Sequence, residues 1–144
     1  MNGHALAERG LPTPLPCLVF QKYRFGRPCE GYLLCEQVVD SAPIYRWWTK
    51  ETNPRKRRDL LYRLGRLIRM MHERGFLHRD LKAPNLLVNK QGELFLIDVV
   101  GSIREFPLSP EQCRKDLGRL ATSSIQFGLS NTDRLRFTKA YLAW

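Results

Sequence analysis

The apolar positions of the chain change period as it is read from one end to the other. Residues 17–25 and 31–39 are rich in aromatic and branched side chains and are bounded by glycine or proline. That pattern predicts two strands, Cys17 to Phe25 and Gly31 to Val39, joined by a loop around Gly26, Arg27 and Pro28. From Pro54 to Arg74 the period becomes helical. Leu60, Leu64, Leu67, Ile68 and Met71 recur at intervals of four, three, one and three, which forms one apolar stripe. Asn53 suits the cap, Pro54 the first helical position and Gly75 the stop. Arg57, Arg66, Arg69 and Arg74 fall on the wet side.

Shorter elements fill the rest. Ala5 to Arg9 reads as the end of a helix closed by Gly10, and Pro12, Pro14 and Pro16 then force an extended connector. Residues 43–50 suit a short helix carrying Trp47 and Trp48. Leu86 to Val88 and Glu93 to Ile97 read as strands around the turn Asn89-Lys90-Gln91-Gly92. Ser109-Pro110-Glu111-Gln112 has the form of a capping box and predicts a helix to about Ser123. A final helix from Thr132 is expected to turn Leu135, Tyr141 and Leu142 inward. Two strands followed by a mostly helical body with an inserted hairpin give the α+β class.

The composition supports one globular domain: 144 residues, 43% hydrophobic and 26% charged. The four cysteines form no CxxC pair, and His72 and His78 are spaced for no metal cage. No signal-like start and no bilayer-length apolar run occur, so a reduced, cytoplasmic chain is the expectation. The net charge of +10 points to an anionic partner, nucleic acid, a phosphate-rich ligand or an anionic membrane surface, or to a soluble protein that is simply basic. A nucleic-acid partner is not expected, because no aromatic-basic module accompanies the charge. Arg55-Lys56-Arg57-Arg58 opposes the macrodipole of the long helix at about 0.3–1 kcal/mol per exposed charge. A solvated run accounts for it, and so does peripheral contact with an anionic inner membrane face.

Candidate chemistry lies in His78-Arg79-Asp80-Leu81-Lys82-Ala83-Pro84-Asn85, which reproduces the phosphotransfer loop H-R-D-L-x-x-x-N in full. Thirteen residues beyond Asn85, an apolar run Leu94-Phe95-Leu96-Ile97 ends in Asp98. Phosphoryl transfer needs a carboxylate beside the attacking hydroxyl, hard oxygen ligands for Mg²⁺ and positive charge on the transferred group. Asp80 suits the first role, Asn85 and Asp98 the second, and Lys82 the third. Upstream, Cys35-Glu36-Gln37-Val38-Val39-Asp40 occupies the place of a hinge that would bind adenine through the backbone of Glu36 and Val38.

On these residues the chain resembles the protein-kinase-like superfamily, and within it the bacterial lipopolysaccharide core kinases that act on Kdo or heptose. The opening Arg9-Gly10-Leu11-Pro12-Thr13-Pro14 and the closing segments 114–120 and 133–142 resemble that branch. Only ten residues separate Asp98 from Ser109, too few for a long peptide-docking segment. The resemblance implies a kinase-like fold with a two-strand remnant of the N-lobe and a hinge over residues 1–40, and a helical C-lobe over 41–144. It implies ATP and Mg²⁺ as cofactors and a sugar or glycolipid hydroxyl as acceptor.

Departures from the pattern shape the alternatives. Asp98 is followed by Val99-Val100-Gly101 rather than a DFG sequence, and residues 1–144 carry neither a G-x-G-x-x-G loop nor a V-A-I-K lysine. The expectation is therefore an internal start or a truncated gene whose parent is an active kinase, with poor ATP binding by the 144 residues alone. A degenerate kinase-shaped binding module and a phosphotransferase of the aminoglycoside or choline type are the other readings.

Overall fold

The computed structural model describes residues 2–143. A short helix, α1 (Asn2–Glu8), leads through the proline-rich connector into strand β1 (Pro16–Arg24), which pairs antiparallel with β2 (Arg27–Cys35). A short strand, β3 (Ser41–Pro43), runs directly into α2 (Ile44–Lys50), and the long helix α3 (Pro54–Glu73) follows. Then come β4 (Phe76–Leu77), the hairpin β5 (Leu86–Asn89) and β6 (Leu94–Leu96), and β7 (Ile103–Arg104). The chain closes with α4 (Pro110–Ser124) and α5 (Asn131–Leu142).

The first hairpin is tighter than its sequence suggests. Only Phe25 and Gly26 form the turn, both at positive φ (51° and 72°), and Arg24 pairs with Arg27. Two left-handed residues make the kind of turn whose twist matches a hairpin, so Arg27 and Pro28 belong to the second strand. That strand ends at Cys35 rather than Val39, because the Glu36 N–H leaves the ladder and donates to the Leu15 carbonyl at 2.9 Å.

Helix α3 is built as its pattern predicts. The Asn53 side chain accepts from the Arg55 N–H at 2.9 Å, and Leu60, Leu64, Leu67, Ile68 and Met71 are all buried. Each such aliphatic burial contributes about 1.5–3 kcal/mol before cavity terms. Arg57, placed on the wet side by sequence, instead lies half-buried over the Trp48 ring at 5.0 Å and donates to the Trp48 carbonyl at 2.9 Å. Gly75, at φ 77°, stops the helix; a Cβ there would stand 2.6 Å from the Glu105 carbonyl oxygen. The Gly75 carbonyl in turn accepts from the Glu105 N–H at 2.9 Å, so β4 and β7, which flank residues 78–102, meet immediately after the helix.

Helix α5 shows one correction. Leu135 and Leu142 do not face inward; they are 69% and 65% exposed, while Ala140 and Tyr141 are buried. The cause is Gly65 on α3, where a Cβ would come within 2.7 Å of the Phe137 carbonyl oxygen and 2.8 Å of the Ala140 Cβ. The two helices therefore touch along Phe137, Ala140 and Tyr141, which turns Leu135 and Leu142 to the opposite side. Among the described residues no helix is long and apolar enough to cross a membrane.

Candidate active site

The candidate catalytic loop, residues 78–85, is suspended between a sheet and a buried carboxylate. Phe76 and Leu77 pair with Arg104 and Ile103, and the chain then bends at Arg79, whose φ is 66°. A left-handed arginine costs on the order of 1–3 kcal/mol unless its surroundings fix it. Here the fixing group is Asp116 of α4, 1% exposed. Its Oδ2 accepts from the His78 N–H at 2.7 Å and its Oδ1 from the Arg79 N–H at 2.9 Å. Burial pushes the Asp116 carboxyl up, but His72 and the His78 and Arg79 amides outweigh it and hold the group below its ordinary value.

His78 is fully buried, and its Nε2 donates to the Ile97 carbonyl at 2.9 Å, which ties the loop to the residue before Asp98. Leu81 is buried as well, so Asp80 stands between two anchored neighbours. Asp80 itself is half-exposed. Lys82 Nζ lies 2.6 Å from its Oδ2, and the Asn85 Nδ2 donates to the same oxygen at 3.1 Å and to the Asp80 carbonyl at 2.9 Å. Oδ1 has no hydrogen-bond partner among the described residues. Lys82 foremost, then Asn85, hold the Asp80 carboxyl below the usual range, so it is an anion at neutral pH.

Asn85 and Asp98 are brought together by the second hairpin. Leu86 pairs with Leu96, and the Ile97 N–H donates to the Asn85 carbonyl at 3.0 Å. Asn85 and Asp98 therefore sit at the same open end of β5 and β6. Asp98 is exposed and left-handed at φ 58°, and it opens a single 3₁₀ turn over Val99–Gly101. The displaced glycine is no obstacle, since the unusual backbone falls on the aspartate. Both amide hydrogens of Asn85 point to Asp80, which leaves its carbonyl oxygen for a cation.

One amide oxygen beside one or two carboxylates at a solvent-facing edge fits Mg²⁺, which takes hard oxygen ligands and keeps several of its waters. It does not fit a metal cage built from protein alone, and among the described residues no cluster of three His, Cys, Asp or Glu occurs.

Glu36 and Val38 lie apart from this cluster, on the connection that enters β3. Two of their backbone groups are spent internally. The Glu36 N–H goes to Leu15, and the Val38 carbonyl accepts from the Ser41 hydroxyl at 2.7 Å. The Glu36 carbonyl and the Val38 N–H remain for a ligand. The connection reaches the site through the sheet: Ser41 pairs with Asn89 and Pro43 with Leu87 on β5.

Asp116 was not singled out by sequence. Its signal is a charged residue on an apolar helical stripe, three after Cys113 and four before Leu120. A carboxylate at such a position needs buried donors, and the catalytic-loop amides are those donors.

Residues 3–141 match the model of the lipopolysaccharide kinase (Kdo/WaaP) family. The 3-deoxy-D-manno-octulosonic acid kinases of Xylella fastidiosa strains 9a5c and M12 are each 31% identical over 149 residues, covering 96% of this chain and 56% of theirs. The chain thus spans about half the length of the curated relatives it matches. Cell division control protein 2 homolog 1 of Trypanosoma brucei brucei is 58% identical over 31 residues, 22% of this chain. A solved WaaP chain in complex with acyl carrier protein superposes with a TM-score of 0.83 at 22% identity, over 98% of this chain and 63% of that one. The fold is accordingly α+β and protein-kinase-like.

Proposed function

The chain belongs to the lipopolysaccharide kinase (Kdo/WaaP) family, and on that premise we propose that it takes part in ATP-dependent transfer of the γ-phosphoryl group to a sugar hydroxyl of the lipopolysaccharide core. The observation that carries this reading is the state of Asp80: a half-exposed anion with one oxygen held by Lys82 and Asn85 and the other without a hydrogen bond among the described residues.

In this reading residues 1–40 contribute part of the N-lobe and the hinge, and 41–144 the C-lobe. The Glu36 carbonyl and Val38 N–H bind the adenine edge. Asn85 and Asp98 hold the metal, and Mg²⁺-bound ATP supplies an electrophilic phosphoryl group whose charge is already part-neutralised. Asp80 Oδ1 orients the acceptor hydroxyl and accepts its proton as the hydroxyl oxygen bonds to the γ-phosphorus and the bond from that phosphorus to the departing ADP oxygen breaks. Lys82 holds Asp80 ionised and lends positive charge to the transferred group. The 99–108 segment is short and closes on β4 through β7, which supports a glycolipid acceptor rather than a peptide one.

Arg55, Lys56 and Arg58 are exposed at the start of α3, and Lys56 lies 3.7 Å from Glu51. They supply the membrane-facing charge for peripheral contact with anionic lipid at the cytoplasmic face.

The experiment is a transfer assay with γ-labelled ATP, Mg²⁺ and a lipopolysaccharide-core acceptor. It is run on the chain and on the product of the full reading frame that contains it. Label is expected on the sugar, with Asp98→Asn lowering the rate at least a hundredfold at saturating ATP. Absence of label in both forms, together with absence of nucleotide binding, would favour the other reading, a kinase-shaped binding module.

A further inference from the structure

The catalytic loop hangs from Asp116, and a second chain of contacts reaches Asp116 from the far side of the fold. His72, on the last turn of α3, is buried (5% exposed) and lies against the Asp116 carboxylate, with Nε2 3.5 Å from Oδ2. That separation is long and poorly aligned for a hydrogen bond, so the contact is chiefly electrostatic. The opposite nitrogen, Nδ1, is 2.8 Å from the hydroxyl of Tyr141 on α5. Tyr141 is also buried (8% exposed), its ring edge-on to the imidazole with centroids 5.7 Å apart. Arg69 stands over the other side of the ring at 5.6 Å, and Phe137 stacks beside it.

A neutral imidazole carries one hydrogen, and which nitrogen bears it is decided by what the other nitrogen meets. Tyr141 can donate to Nδ1. If it does, the hydrogen of His72 must sit on Nε2, facing Asp116. The reverse tautomer would turn a lone pair toward a buried carboxylate and leave the imidazole hydrogen to seek the phenol oxygen. The first arrangement attracts the carboxylate and the second repels it.

We propose that Tyr141 is a positioning residue for the catalytic loop: by donating to His72 Nδ1 it fixes the tautomer that holds Asp116, and through Asp116 it sets the His78 and Arg79 amides that aim Asp80. The inference rests on the phosphotransfer reading only for its catalytic consequence; the mechanical link stands on the contacts themselves. It gives Tyr141, 61 residues along the chain from Asp80, a role beyond packing. Gly65, by admitting the backbone of α5 against α3, is what lets the phenol reach the imidazole.

The test is backbone and imidazole NMR on the intact chain, with Tyr141→Phe as the probe and Phe137→Leu as a packing control on the same helix. Tyr141→Phe keeps the ring and removes the hydroxyl, which also lies near the Cys113 thiol. Amide exchange at His78 and Arg79 is expected to quicken at least tenfold relative to amides of the β5–β6 hairpin, and in Phe137→Leu to change by less than threefold. Equal behaviour of the two variants would overturn the proposal. Imidazole ¹⁵N shifts of His72 in the unmodified chain give a reading that needs no variant: an Nε2–H tautomer is expected, and an Nδ1–H tautomer would overturn it. In the transfer assay Tyr141→Phe should lower kcat several-fold with KM for ATP unchanged. If exchange responds as expected but no form transfers phosphate, the link survives and the phosphotransfer reading fails.

Discussion

The ammonium of Lys82 lies 2.6 Å from Oδ2 of Asp80, two residues away along an extended backbone. The pair is part-exposed, so its contribution to stability is small. Its consequence is for protonation. Lys82 is the largest influence holding the Asp80 carboxyl below its ordinary value. A base is lost when it is protonated, so a depressed value moves the acid limb of activity to lower pH. Lys82→Met should raise the Asp80 carboxyl toward the ordinary carboxylate range and shift that limb upward. Carboxyl ¹³C titration of Asp80 in the two proteins checks the sign without any assay.

Asp116 should be among the most costly polar positions to alter. Asp116→Ala strands the His78 and Arg79 amides in the interior, at about 1–3 kcal/mol for each unsatisfied donor. Denaturant unfolding should show that loss. Because the folded carboxyl is held low, its stabilisation is present above its unfolded value and fades as pH falls through the folded one. Thermal unfolding between pH 5 and 2 should therefore fall less steeply in Asp116→Asn than in the unmodified chain.

Tyr141 predicts a window at the other end of the scale. Burial, chiefly, pushes its phenol up to about 12. The stabilisation is complete below the ordinary phenol value near 10 and is lost as pH rises from there toward about 12. Tyr141→Phe should flatten the decline in stability over that interval, read by circular dichroism, and lower stability at neutral pH as well, because the buried His72 Nδ1 loses its partner.

Gly65→Ala tests the helix contact alone. The added Cβ would meet the Phe137 carbonyl oxygen at 2.7 Å, and the backbone atom cannot rotate away. Overpacking of this kind costs about 1–3 kcal/mol. The same change at Gly118, where nothing lies within 4 Å of the added carbon, should stabilise α4 slightly. Paired denaturation curves distinguish the two.

How much of this was legible in the residues follows from how each feature is encoded. The catalytic loop is written in contiguous residues whose identities are the chemistry, so Asp80, Lys82 and Asn85 could be read directly and do converge. Helix α3 was legible because cap, stripe and stop agree. The capping box at Ser109 and Gln112 forms with both of its hydrogen bonds. What could not be read depends on partners distant in sequence. Leu135 and Leu142 carry the right chemistry for a core, and only the close approach at Gly65 decides that they face out. The short strands β3, β4 and β7 have no periodicity of their own and exist because neighbours supply their ladders. Asp116 looked like one more charge on a helix until the unpaired amides of the catalytic loop gave it a place.

The most direct measurement compares Mg²⁺-dependent transfer from ATP to a lipopolysaccharide-core acceptor in the unmodified protein and in Asp80→Ala, with nucleotide binding followed in both. The account predicts transfer that falls by three orders of magnitude or more in the variant while nucleotide binding stays within a few-fold. Transfer that survives the loss of the carboxylate would contradict it.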